Sequence, residues 1–191
     1  MYKKNIFHRI QNKFIDSKIR AEKELKILTS LKSNKQTAAI AGWVGYDDLG
    51  DEVLYQFYIK LFHSFCFIPY ISNSIVERYY KLIKKQVYDI GVLGGGILIN
   101  QDFRWLKEVK ELQRKKIPLF CFGTGVAQED FWRQQHDEYW KNNISEWVKI
   151  LSSFLFVGVR GLISKKILLD NGLKNVVVVG ETATLLICKI N

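Results

Sequence analysis

From Thr37 onward, short apolar runs alternate with longer segments of helical periodicity, and this alternation leaves few folds open. The runs Ala38–Gly42, Phe65–Ile71, Tyr88–Leu93, Ile117–Phe122, Phe154–Val159 and Val176–Val179 read as strands. Segments near Glu52–His63, Ser74–Gln86, Asp102–Lys115, Glu129–Leu151 and Ser164–Asn171 read as helices, the last stopped by Asn171-Gly172. Strands separated by helices call for crossover units, hence a parallel sheet with helices on both faces. The strands are almost continuously apolar, as burial of both sheet faces requires. The expected fold is α/β, a Rossmann-like doubly wound parallel sheet.

The chain has 191 residues, 48% of them hydrophobic, so one core can form without metal or disulfide support. Cys66, Cys121 and Cys188 lie far apart among apolar neighbours, which fits reduced core residues rather than a disulfide framework or a zinc site. A formal charge of +10 suggests nucleic-acid binding until it is located. Residues 1–36 hold ten Lys/Arg against three Asp/Glu, whereas residues 37–191 hold nineteen against sixteen. The globular part is close to balance, so no nucleic-acid partner is expected.

The basicity belongs to an extension, residues 1–36. In it Ile6, Phe7, Ile10, Phe14 and Ile15 recur at helical spacing among lysines and arginines, and the helix is expected to run to about Leu31. An amphipathic basic helix either packs on its own domain or lies on an anionic membrane surface, and both readings stay open here. No apolar run reaches the roughly 18 residues of a membrane span, and polar residues from His8 to Lys13 interrupt any signal-peptide core. The expected location is the cytoplasm, with the inner face of the membrane as a possible site of contact.

Ligands of open α/β sheets bind beyond the carboxyl ends of the strands, and four such ends carry unusual residues. The first runs from Gly42 through Gly45 and Asp48 to Asp51-Glu52, where the two acids either cap the following helix or serve a ligand. The second, Gly94-Gly95-Gly96, either offers amides to an anion or sugar hydroxyl or lets a helix pack closely. The third, Gly123-Thr124-Gly125, starts like a dinucleotide fingerprint but has Gln128 at the last glycine position, so a plain turn is the expectation. In the fourth, Arg160 either grips a carboxylate or phosphate or forms a surface ion pair, and Ser164 fits the N-cap of the next helix. His8, His63 and His136 are scattered, no metal cluster is visible, and no nucleophile–base pair can be named.

Together these strand ends resemble the polysaccharide pyruvyl transferase family. Its G-x-x-G-x-x-N-x-G-D-E opening is matched from Gly42 to Glu52, with Asp48 in place of the Asn. Its glycine triplet after an Asp-containing strand is matched from Tyr88-Asp89 to Leu98, and its V-R-x-x-x-S element from Val159 to Ser164. Its G-D-x-A-x-L-L element is matched from Gly180 to Leu186, with Glu181 replacing the Asp.

The resemblance implies pyruvyl transfer from phosphoenolpyruvate to a glycan or lipid-linked sugar, forming a ketal in a cell-surface polysaccharide or its precursor, with no cofactor. It implies one lobe of a two-lobed, GT-B-like architecture, so residues 37–191 are expected to be the N-terminal lobe. The chain is therefore expected to be an N-terminal half, either truncated, split from a partner chain that carries the second lobe, or degenerate. It further implies that Arg160 binds the donor's carboxylate or phosphate, that Gly42–Gly45 and Gly94–Gly96 line the cleft, and that Asp51 orients the first loop or the acceptor. The competing expectations are a glycosyltransferase lobe of the same architecture and a non-catalytic, membrane-associated binding module.

Overall fold

A computed structural model describes residues 17–44, 49–83, 85–100, 103–128 and 139–180. Six strands form one all-parallel sheet: β1 (Gln36–Ala41), β2 (Phe65–Pro69), β3 (Ile90–Gly94), β4 (Leu119–Thr124), β5 (Phe156–Val159) and β6 (Val177–Val178). The helices are α1 (residues 17–30), α2 (Leu49–Leu61), α3 (Ile75–Leu82), α4 (Phe103–Arg114), α5 (Tyr139–Leu151) and α6 (Leu162–Asp170). The doubly wound α/β fold expected from the alternation is the fold observed.

The spatial order is β2-β1-β3-β4-β5-β6. The chain moves one way from β1 to β2, then crosses back and continues the other way from β3 onward. The crevice where the direction reverses therefore opens between the carboxyl ends of β1 and β3.

Alternate residues of each strand enter two separate cores, as the pleat dictates. Ala39, Ala41, Ile68, Leu93, Leu119, Cys121 and Val157 meet α4 and α5 through Trp105, Leu106, Val109, Ile144 and Trp147. On the other face Ala38, Ile40, Phe67 and Val92 meet Tyr55, Phe57 and Tyr58 of α2. Burial on both sides raises the thiol of Cys121 well above its ordinary range.

Local chemistry sets the helix ends. Ser74 caps α3 by accepting the Glu77 amide at 3.0 Å. Asp51 and Glu52 occupy the first turn of α2 and Lys60 its last, the arrangement the helix dipole favours. Gly172, at φ +95°, follows the end of α6, where the sequence places a stop. Several boundaries differ from the sequence reading: α2 begins at Leu49 rather than Glu52, and β4 runs over Leu119–Thr124 rather than Ile117–Phe122. Helix α3 ends at Leu82 rather than Gln86, and α6 begins at Leu162 rather than Ser164, with Gly161 in the N-cap position.

Helix α1 is built into the domain. Ile27 is fully buried in the larger core. Glu24 accepts the Ser74 hydroxyl at 2.7 Å and the Ile75 amide at 2.8 Å, adding a second cap to α3. Arg20 donates to the carbonyl of Asn73 at 2.6 Å. Of the two readings of the basic helix, its described part packs on its own domain, with Leu25 and Lys26 facing outward. The apolar residues Ile6 to Ile15 lie outside the described residues.

Truncating a fully buried side chain removes its transfer free energy and leaves a cavity. Ile27→Ala is therefore expected to lower stability by about 2–4 kcal/mol in urea unfolding of the whole chain. An unchanged midpoint would mean that α1 is a detachable extension.

Candidate functional site

The crevice between β1 and β3 is held together by contacts that depend on missing side chains. Gly42, just past β1, lies against the Gly94 carbonyl, so closely that a Cβ there would collide with it. A Cβ on Gly94 would collide with the Tyr58 hydroxyl. Gly95 has φ +110°, and a Cβ there would stand 2.7 Å from Asp51 Oδ1. The close-packing reading of the triplet therefore accounts for Gly94 and Gly95, both of which are buried. Gly96 lies nearer the surface, and its amide donates to Asp51 Oδ1 at 2.8 Å.

Asp51 thus reaches beyond its own helix. It is 7% exposed and clamps the second strand-end loop to the first turn of α2. A charge-assisted bond of this kind is stronger than one between neutral groups. The family resemblance implies that Asp51 orients the first loop or the acceptor; in the structure it holds the glycine triplet. Gly45 and Asp48 lie outside the described residues.

The glycine loop is fixed from two further sides. Thr124 Oγ1 donates to the Gly96 carbonyl at 3.1 Å and accepts the Leu98 amide at 3.2 Å. The Gly125 amide reaches the same Gly96 carbonyl at 2.9 Å. Farther along, the Asn100 carbonyl accepts Asn143 Nδ2 and Trp147 Nε1, each at 3.1 Å.

The third strand end departs from the plain turn expected of Gly123-Thr124-Gly125. Gly123 and Thr124 still belong to β4, and the β4–β5 register shifts between Phe122 and Thr124. Gly123 supplies the bulge with φ +73°, which turns Thr124 toward the glycine loop. Ser164 also differs from its sequence reading. It does not cap α6 but sits inside the helix, where its buried Oγ accepts the Val126 amide at 3.0 Å. It ties the loop after β4 to α6.

Arg160 follows β5, is half-buried, and donates its amide to the Thr124 carbonyl at 2.9 Å. Its charge is felt at Tyr58, which the sequence reading did not single out. Burial, the main cause, raises the pKa of the Tyr58 phenol well above its usual value, and nearby Cys121 adds to this. The Gly95 amide and Arg160 pull it down, while Asp51 pushes it up. Tyr58 donates its hydroxyl proton to the Phe122 carbonyl. The structure therefore gathers Asp51, Tyr58, the glycine triplet, Thr124 and Arg160 at one end of the sheet.

Asp89, part of the family pattern, lies at the opposite end. It receives the Thr37 amide at 2.6 Å and aligns the starts of β1 and β3. Among the described residues no group of three His, Cys, Asp or Glu side chains is placed to hold a metal, and His63 is exposed beyond α2. No helix among them is long and apolar enough to cross a membrane.

Asp51→Ala leaves the Gly96 amide without its acceptor. We expect a loss of about 1–3 kcal/mol in urea unfolding, with faster hydrogen exchange at Gly96. Unchanged exchange at Gly96 would show that the clamp does not hold the loop.

No curated protein and no solved structure matches the chain significantly. The family model for polysaccharide pyruvyl transferase matches residues 8–191, a span that includes all four strand ends and the helix α1 packed beside them. The chain belongs to the polysaccharide pyruvyl transferase family.

Proposed function

We propose that this domain serves pyruvyl transfer from phosphoenolpyruvate to a sugar of a cell-surface polysaccharide or its precursor. Beyond family membership, one observation carries the reading: Arg160 stands at the ligand-binding end of the sheet, within electrostatic reach of Tyr58. Phosphoenolpyruvate presents a carboxylate and a phosphate, and a guanidinium can grip either through two parallel hydrogen bonds. In the reaction, C2 of the donor loses its phosphate oxygen and gains two sugar oxygens, while C3 takes up a proton. The products are the ketal and inorganic phosphate. Arg160 compensates anionic charge on the donor, and the clamped Gly94–Gly96 loop lines the cleft with a fixed backbone.

The acceptor in this reading is a glycan or a lipid-linked sugar. A second lobe facing these strand ends, as the two-lobed architecture of the resemblance implies, completes the cleft. Contact of residues 1–36 with the inner face of the membrane would bring a lipid-linked acceptor within reach. The outward position of Leu25 and Leu28 on α1, with Lys18 on the same side, supports that contact.

Titration of the chain with phosphoenolpyruvate tests the reading. Arg160→Lys keeps the charge but removes the planar fork, and we expect it to weaken binding by about tenfold. Addition of an acceptor glycan to the active protein should release phosphate with formation of a ketal. Equal affinity in Arg160→Lys, or turnover of a nucleotide sugar without phosphoenolpyruvate, would overturn it.

A further inference from the structure

Helix α3 leaves an apolar stripe on the surface. Val76 and Tyr80 make its inner side, packed against the larger core, yet no residue of the helix is buried. Ile75, Tyr79 and Leu82, four and three residues apart, share another side and are 65%, 61% and 82% exposed. Ile83, at the end of the helix, is exposed as well. Single exposed apolar residues are ordinary, whereas a contiguous row marks a contact surface. We propose that this side of α3 is a docking surface for an anionic lipid bilayer.

Neighbouring elements fix the direction of the stripe. Glu77 forms an ion pair with Lys115 at the end of α4. At 100° per residue, Ile75, Tyr79 and Leu82 all lie on the side of α3 opposite Glu77, so the stripe turns away from α4. At the start of α3, Glu24 of α1 accepts the Ile75 amide at 2.8 Å. Leu28, one turn past Glu24 on the same flank of α1, is also exposed. The two helices thus bring apolar residues to one side of the domain.

Charge selects the occupant. Arg78 and Lys81 on α3 and Lys85 just beyond it are exposed, as are Lys32 and Lys35 after α1. The nearby carboxylates are engaged, Glu77 by Lys115 and Glu24 by the cap of α3. A second copy of this chain, itself at +10, would set these cations against themselves in a two-fold contact. Residues 1–16, another conceivable cover, hold four Lys/Arg against one Asp. Like charge opposes both occupants. Anionic headgroups attract the same cations, and the acyl boundary beneath them takes up Ile75 and Leu82. Tyr79 suits that boundary, since its ring is apolar and its hydroxyl prefers water.

The position of α3 leaves the crevice open. The helix leads to the amino end of the sheet, where the Thr37 hydroxyl donates to the Val87 carbonyl at 2.5 Å. The crevice lies at the carboxyl end, so a chain resting on α3 keeps it accessible beside the bilayer. That use, holding the crevice near a lipid-linked acceptor, rests on the pyruvyl-transfer reading. The surface itself rests on α1 and α3 alone.

The test is sedimentation of the whole chain with vesicles of phosphatidylcholine, with and without about 30% phosphatidylglycerol. We expect binding to the anionic vesicles that falls steeply as salt rises, and little binding to phosphatidylcholine alone. Ile75→Gln together with Leu82→Gln should weaken binding about tenfold, and Arg78→Gln together with Lys81→Gln about fivefold. All four side chains are exposed, so the fold should persist. Should the first pair fail to fold, the second still decides. Leu169→Gln on α6, an exposed leucine elsewhere, should leave binding unchanged.

Binding unaltered by both α3 pairs would overturn the proposal. It would do so even if Phe7→Gln with Phe14→Gln abolished binding, because the contact would then belong to residues 1–36 alone. Absence of vesicle binding would overturn it too, as would a dimer that Ile75→Gln with Leu82→Gln dissociates. The vesicle assay contains no phosphoenolpyruvate, so this surface and the pyruvyl-transfer reading fail independently.

Discussion

The bond between the buried Asp51 carboxylate and the Gly96 amide organises the carboxyl end of the sheet in this protein. Strands β1 and β3 diverge in connection direction where they lie side by side, so the loops leaving them must part over a shared gap. Asp51 sits in the helix that follows β1, and Gly96 in the loop that follows β3. One hydrogen bond thus joins the two halves of the crevice. It forms because Gly95 takes a left-handed conformation and carries no side chain to meet the carboxylate. Tyr58 fills the space beneath the triplet, which only a glycine at position 94 leaves open.

Around that clamp the site is built by elements distant in sequence. Thr124 bonds the glycine loop because a bulge at Gly123 re-aims the strand end. Ser164 holds the next stretch through the Val126 amide, and Arg160 is set by its own backbone bond to Thr124. The result is a rigid backbone frame with one half-buried guanidinium above it. In the proposed reaction, donors fixed in advance need not reorganise as charge develops on oxygen.

A basic cavity between α1 and α4 follows from the same packing. Helix α1 contributes Ile27 to the core and Glu24 to the cap of α3, and this docking carries Arg20 and Lys23 to the end of β2. Helix α4, launched from the glycine loop, brings Arg104 and Lys107 from the other side. The sequence put the charge in an extension because residues 1–36 hold most of the excess. Docking concentrates part of that excess in one hollow, where burial makes Lys23 easier to deprotonate.

The order of strands and helices, the apolar character of each strand and the positions of the four special loops are legible in the sequence, because they depend on local periodicity and on glycine's lack of a side chain. The family follows from those loops taken in order. The partners of the loop residues are not legible. Ser164 carries the signature of a helix cap and serves another loop, Gly123 has the look of a turn and forms a bulge, and Tyr58 bears no motif at all. Asp89 belongs to the family pattern yet lies at the far end of the sheet. Local periodicity alone specifies a parallel α/β domain with glycine-rich strand ends, since those features need only near neighbours. Which side chains meet across the β1–β3 crevice, and that Lys23 is buried, depend instead on how helices far apart in the chain pack on one sheet.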